Sequence, residues 1–102
     1  MREPTFYVLT ALLDGPLHGY GIIKRAEELS AGRVRLAAGT LYAALDRLRD
    51  ARLAEVDREE VVDGRARRYY RLTGAGREAL RAEATRMAAA ARLVLGRAGG
   101  RP

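Results

Sequence analysis

Thr40, Tyr42 and Arg47 bring two hydroxyls and a guanidinium to one short run, GTLYAALDRL, at residues 39–48. Within it Leu41, Leu45 and Leu48 recur at helical spacing. A helix that buries those leucines turns Thr40, Ala43 and Arg47 to its opposite side. At the start of such a helix the hydroxyls of Thr40 and Tyr42, the free backbone N–H groups and the positive helix end suit phosphate oxygens. Arg47, one to two turns on, has the reach for a guanine edge or a phosphate, and Gly39 admits a close backbone approach. Each residue also has a local use: Thr40 as a helix cap, Tyr42 as half-buried packing, Arg47 as the partner of Asp46 or Asp50.

Arg65, Arg67 and Arg68 form the densest positive cluster of the chain, directly after Asp63-Gly64. Guanidinium groups at that density suit phosphates or an A·T-rich minor groove. Cross-strand neutralisation by Glu55, Asp57, Glu59, Glu60 and Asp63 is the competing use. Lys24, next to Arg25, adds a further candidate phosphate contact or simply a solvated helix face. Catalytic chemistry has no comparable set. His18 is the only histidine and no cysteine is present, which leaves no metal-ligand cluster and no nucleophile with a base. Gly15, Gly19 and Gly21 lack the strand and the Gly-Lys-Ser/Thr ending of a phosphate loop. We therefore expect no enzyme activity, no cofactor and no metal.

The elements that would position these groups follow from periodicity and breakers. Thr5 to Leu13 reads as a helix with Pro4 near its start and Asp14-Gly15-Pro16 as its stop. A second helix follows His18-Gly19-Tyr20-Gly21, with Ile22, Ile23, Ala26 and Leu29 buried and Tyr20 as an anchor. Alternation over Arg33–Leu36 fits a short strand or an extended connector, and the third helix runs from about Ala38 to Arg52. Leu53–Val62 and Ala66–Leu72 flank Asp63-Gly64, a dipeptide suited to a tight hairpin turn. A strict two-residue turn sets Val56 opposite Arg71, so a bulge or a longer loop is needed to realign the apolar residues. Tyr69, Tyr70 and Leu72 tie this hairpin to the core. Thr73 caps a last helix that runs through Leu95 and is closed by Gly96. In it Leu80, Ala84, Met87, Ala91 and Val94 recur in alternating steps of four and three, the spacing of a helix-to-helix seam.

That order gives an α+β fold, mainly α: a winged helix-turn-helix with a two-stranded wing and a long C-terminal dimerisation helix. We expect a DNA-binding domain over 1–72, a dimerisation helix over 73–97 and a flexible tail over 98–102. A chain of 102 residues supports one modest core, and a second subunit would add to its stability. The charge is unevenly spread. Residues 1–63 hold 9 Lys/Arg and 11 Asp/Glu, and residues 64–102 hold 10 and 2. A positive field that begins at the hairpin turn points to an anionic partner. The absence of cysteine, of a signal-peptide pattern and of any apolar run near the ~20 residues of a membrane span fits a cytoplasmic protein with no membrane partner.

Three segments, LDGPLHGYGI at 13–22, GTLYAALDRL at 39–48 and GRARRYYRLTGAGR at 64–77, occur in an order that resembles the PadR family of bacterial transcriptional regulators, over nearly the whole chain. The short terminal region is similar to the PadR subgroup with a single C-terminal helix. The resemblance implies a homodimeric repressor whose third helix enters the major groove of double-stranded DNA at a palindromic operator while the wing contacts the flanking backbone or minor groove. It also implies release by a small aromatic or drug-like effector near the terminal helix, where Phe6, Tyr7, Met87 and Leu93 are candidates for a pocket or equally for core and interface. Ala43 stands where the family often has proline, a departure that bears on base preference. The rival is a winged-helix interaction module whose arginine-rich wing docks an acidic protein partner.

Overall fold

Pro4 lacks an N–H and presets a helical φ, so it sits without penalty in the first turn of α1, Glu3–Ala11. The helix begins two residues ahead of Thr5. The structure, a computed structural model, describes residues 1–99. The remaining elements are β1 (Leu17–His18), α2 (Gly19–Leu29), α3 (Ala38–Asp50), β2 (Ala54–Val62), β3 (Arg65–Leu72) and α4 (Gly74–Gly99). Val8, Leu9 and Leu12 from the α1 region, Ile22, then Leu41, Leu45 and Leu48 of α3 close a core with Ala54, Tyr70, Leu72 and Leu80. The leucine stripe of α3 is thus buried, as its spacing predicts.

The hairpin turn is strict. Asp63 and Gly64 take φ of 51° and 75°, the left-handed pair that matches strand twist in a two-residue loop. Val62 pairs with Arg65, and the register slips by one between Val56 and Arg58. Asp57 is the extra residue of this bulge. Val56 consequently faces Tyr70 instead of Arg71, and Ala54 faces Leu72. Without the slip the base of the hairpin would turn its apolar side chains to solvent.

One expectation about strands requires correction. The sheet has three strands, not two, in the order β1-β3-β2, with Leu17 opposite Tyr70 and His18 opposite Tyr69. Of the two readings of Arg33–Leu36, the connector is the one found, since the segment forms no strand. The reason lies in Ser30: its Oγ accepts the Val34 N–H at 2.9 Å, so a local side chain satisfies a donor that a sheet would otherwise have to satisfy. Ala31 and Gly32, both at positive φ, end α2 and start that connector.

Thr73 caps α4. Its Oγ1 accepts the Gly76 N–H at 2.9 Å and donates to the Arg52 carbonyl at 2.7 Å, which ties the helix start to the entry of the wing. Gly76 sits against the backbone there, and a methyl group on it would overlap the Leu53 carbonyl oxygen. Backbone cannot step aside as a side-chain tip can. Gly76→Ala is therefore expected to destabilise the fold by about 3 kcal/mol, at the upper end of overpacking, against about 1 kcal/mol for removal of the cap in Thr73→Ala. Denaturant melts of the two variants measure this order, and equal losses would contradict it.

Gly96 does not close α4, which continues to Gly99. An internal glycine weakens a helix by about 1 kcal/mol, too little to break one so rich in alanine. Residues 98 and 99 of the expected tail belong to this helix, and 100–102 lie outside the described residues. From Ala84 to Arg97 α4 is exposed along its length, and the chain measures 64 × 27 × 21 Å. The helix projects out of the body.

Candidate nucleic-acid interface

The outward side of α3 carries Gly39, Thr40, Ala43 and Arg47, all exposed. Ala37 occupies the cap position without a side-chain bond, so Thr40, the third residue of the helix, is not its cap. Arg47 has no carboxylate within ion-pair distance among the described residues, so neither Asp46 nor Asp50 holds it. Tyr42 is 46% exposed and leans on the start of α2. There a side chain on Gly19 would overlap the Tyr42 hydroxyl, so the glycine makes room for the tyrosine.

Between this corner and the wing lies an open cleft of about 570 Å³, walled by His18, Gly19, Tyr20 and Tyr42 on one side and by Val62, Asp63 and residues 65–68 on the other. It exists because β1 pairs with β3 only at Tyr69 and Tyr70. Past His18 the β3 edge is open. The cleft therefore unites the start of α2, the start of α3 and the arginine-bearing half of the wing.

The wing arginines differ in their engagement. Arg68 pairs with Glu59 at 3.4 Å, whereas Arg65 and Arg67 have no carboxylate partner among the described residues. The acidic stripe of β2 is occupied by other cations. Arg71 binds Glu55 and Asp57, and Arg58 binds Asp57 and Glu60 while stacking 4.0 Å above the Tyr69 ring. The Arg58 guanidinium holds the Glu60 carboxyl below its ordinary range. Pairs within β2 and across to β3 thus engage Glu55, Asp57, Glu59 and Glu60, while Asp63, Arg65 and Arg67 have no partner within ion-pair distance among the described residues and Arg67 acts on Glu60 only at longer range. His18 is half-buried, and burial, with the Arg67 charge, lowers its proton affinity. Both effects favour the neutral ring in the free chain.

On α2, Lys24 is exposed with no ion-pair partner among the described residues, whereas Arg25 pairs with Glu28 at 3.5 Å and Asp14 at 3.9 Å. Tyr20 was expected to be an anchor and is instead 69% exposed at the mouth of the cleft. The buried positions of α2 are Gly19, Ile22 and Ala26, and this phase places Tyr20 on the outer side, one turn before Lys24. That phase is the signal that identifies it. Leu29, at the end of the helix, is likewise at the surface, 36% exposed.

Of the seam residues on α4, Leu80 lies in the core of its own chain, while Ala84, Met87, Ala91 and Val94 are exposed together with Leu93 and Leu95. Phe6 and Tyr7 pack edge-on at 5.4 Å, and Met87 and Leu93 stand on the projecting helix. Among the described residues there is no cluster of three metal-ligating side chains and no helix long and apolar enough to cross a membrane.

Residues 8–82 match the model of the transcriptional regulator PadR-like family. The chain is 42% identical over 90 residues to transcriptional regulator Rv3488 of Mycobacterium tuberculosis, covering 88% of this chain and 80% of that protein. Its fold is similar to that of a PadR family transcription regulator from Clostridium difficile, with TM-score 0.77, 22% identity and coverage of 93% and 97% of the two chains. It is also similar to Bacillus subtilis PadR, solved in complex with operator DNA, with TM-score 0.69 and 23% identity over 78% of this chain and 45% of that one. With a winged helix-turn-helix core, the ordered segments at 13–22, 39–48 and 64–77, and this family match, the chain belongs to the PadR-like family of transcriptional regulators.

Proposed function

We propose that the chain is a homodimeric repressor that binds double-stranded DNA at a palindromic operator. The observation that carries this reading is the placement of two unpaired wing arginines, Arg65 and Arg67, across an open cleft from the hydroxyl-bearing start of α3. A duplex backbone run along that cleft would bring Thr40, Ala43 and Arg47 to base edges in the major groove and the wing tip to the flanking groove. Residues 1–72 serve as the reading unit. Over 73–97, α4 pairs two chains through Ala84, Met87, Ala91 and Val94, with the reading helices ~34 to 36 Å apart. Leu80 supports that face from beneath as a core residue. Operator DNA in the Bacillus subtilis PadR structure supports the assignment, and cytoplasmic residence follows from it. Release by a small aromatic or drug-like effector is part of the reading, with the exposed apolar stretch of α4 as the place to look. Calorimetric titration with phenolic and cationic compounds tests it.

Selection of bound fragments from genomic DNA tests the whole. One enriched palindrome is expected, and sequence-blind weak binding would favour docking of an acidic protein instead. Two substitutions separate positioning from reading. Arg65→Ala is expected to weaken all duplexes alike, whereas Arg47→Ala is expected to relax preference at one base position by about 1–3 kcal/mol. Equal loss on every duplex would reduce Arg47 to a phosphate contact.

A further inference from the structure

We infer that the cleft between α2 and the wing seats a DNA backbone phosphate and that His18 is one of its ligands, charged when the phosphate is bound. This rests on the DNA-binding reading above and adds to it a proton taken up from solvent by each chain. The cleft wall is cationic and hydroxylic: Arg67 from β3, Arg65 from the tip, Tyr20 from α2 and Tyr42 from α3. The His18 backbone is held by pairing with Tyr69, and its ring lies 5.5 Å from the Tyr69 ring and 6.5 Å from that of Tyr20. A methyl group on Gly21 would stand in van der Waals contact with the imidazole at 3.4 Å, so the ring lies close against the first turn of α2. The ring is thus built into the wall.

The groups facing His18 decide its charge. Arg67, Arg68 and Tyr69 come from β3, Tyr20 from α2 and Tyr42 from α3, while from β2 Arg58 covers Tyr69 and Glu60, paired with Arg58, lies near Tyr69 and Arg67. Asp63 at the turn is the one carboxylate on the cleft wall, and no acidic group pairs with His18 among the described residues. Burial and Arg67 both disfavour the imidazolium in the free chain. A phosphate diester in the cleft reverses the sign of the field, pairing with Arg67 and drawing a proton onto the ring. The bound form therefore titrates higher than the free form. Affinity rises as pH falls through the bound midpoint and levels off below the free midpoint.

His18 is the only histidine of the chain, so its ring gives one histidine signal in a proton-carbon NMR titration. The probe is a mixed-sequence duplex of about two helical turns at ~50 mM salt, where phosphate contacts alone suffice for binding. The free midpoint is expected below that of an unperturbed imidazole, and the bound midpoint above the free one. Affinity should then change by up to about tenfold per pH unit for each His18 between the midpoints. His18→Gln should flatten that dependence and keep a salt-sensitive residual affinity, with an unchanged thermal melt showing that the fold persists. An unchanged His18 midpoint on a duplex that binds would overturn the phosphate seat and leave the DNA reading intact. No duplex binding at any pH would overturn both, and a midpoint raised by polyglutamate but not by duplex would assign the cleft to an acidic protein.

Discussion

Raising the salt from 50 to 200 mM is expected to lower duplex affinity by ~10³ to 10⁵, provided the dimer neutralises about six to ten phosphates. The unpaired cations of the proposed site set that number. Lys24, Arg47, Arg65 and Arg67 are the site cations without a carboxylate partner among the described residues, and two copies of the chain double them. Arg25, Arg58, Arg68 and Arg71 are held by Asp and Glu, and a cation already neutralised releases few counterions from DNA. Fluorescence anisotropy at several salt concentrations gives the slope of log affinity against log salt. A slope near −7 fits eight contacts at −0.9 each. A slope of one or two would mean that the wing arginines meet few phosphates.

The second large effect concerns α4. Met87→Asp with Ala91→Asp places two carboxylates on the proposed seam, where both residues are exposed in the single chain. The fold should persist, because the core residues of α4 lie near its start, at Leu80. Association should fail, since two desolvated carboxylates facing their copies repel and lack partners. A monomer engages one half-site at a time and forfeits the linkage between them, so apparent operator affinity should fall by ~10² to 10⁴. Sedimentation and anisotropy on one sample test both parts. A variant that sediments and binds like the original would remove α4 from the dimer contact.

Much of this arrangement is legible in the residues. The buried stripe of α3, the left-handed Asp63-Gly64 turn, the bulge that moves Val56 off Arg71 and the Thr73 cap follow from periodicity and from the conformations that single residues tolerate. Other features admit two local readings. Tyr20 lies one position after a buried glycine, a phase that sets it outward, and its aromatic character alone suggested packing. Gly96 resembled a terminator, yet a lone glycine next to alanine-rich sequence extends a helix as readily as it ends one. Leu80 fits the seam spacing and also the core, and periodicity cannot tell one neighbour from the other.

The residues alone specify the four helices, the hairpin with its turn and bulge, and the side of α3 that stays outside, because these depend on interactions within a few residues. Only the tertiary structure decided that Leu17–His18 joins the sheet, that a cleft opens past it, and that Arg58 and Arg71 occupy the carboxylates which would otherwise neutralise the wing. Each of these depends on which segments distant along the chain come together. Strand edges and competing ion pairs carry no local periodicity, so folding alone assigns their partners.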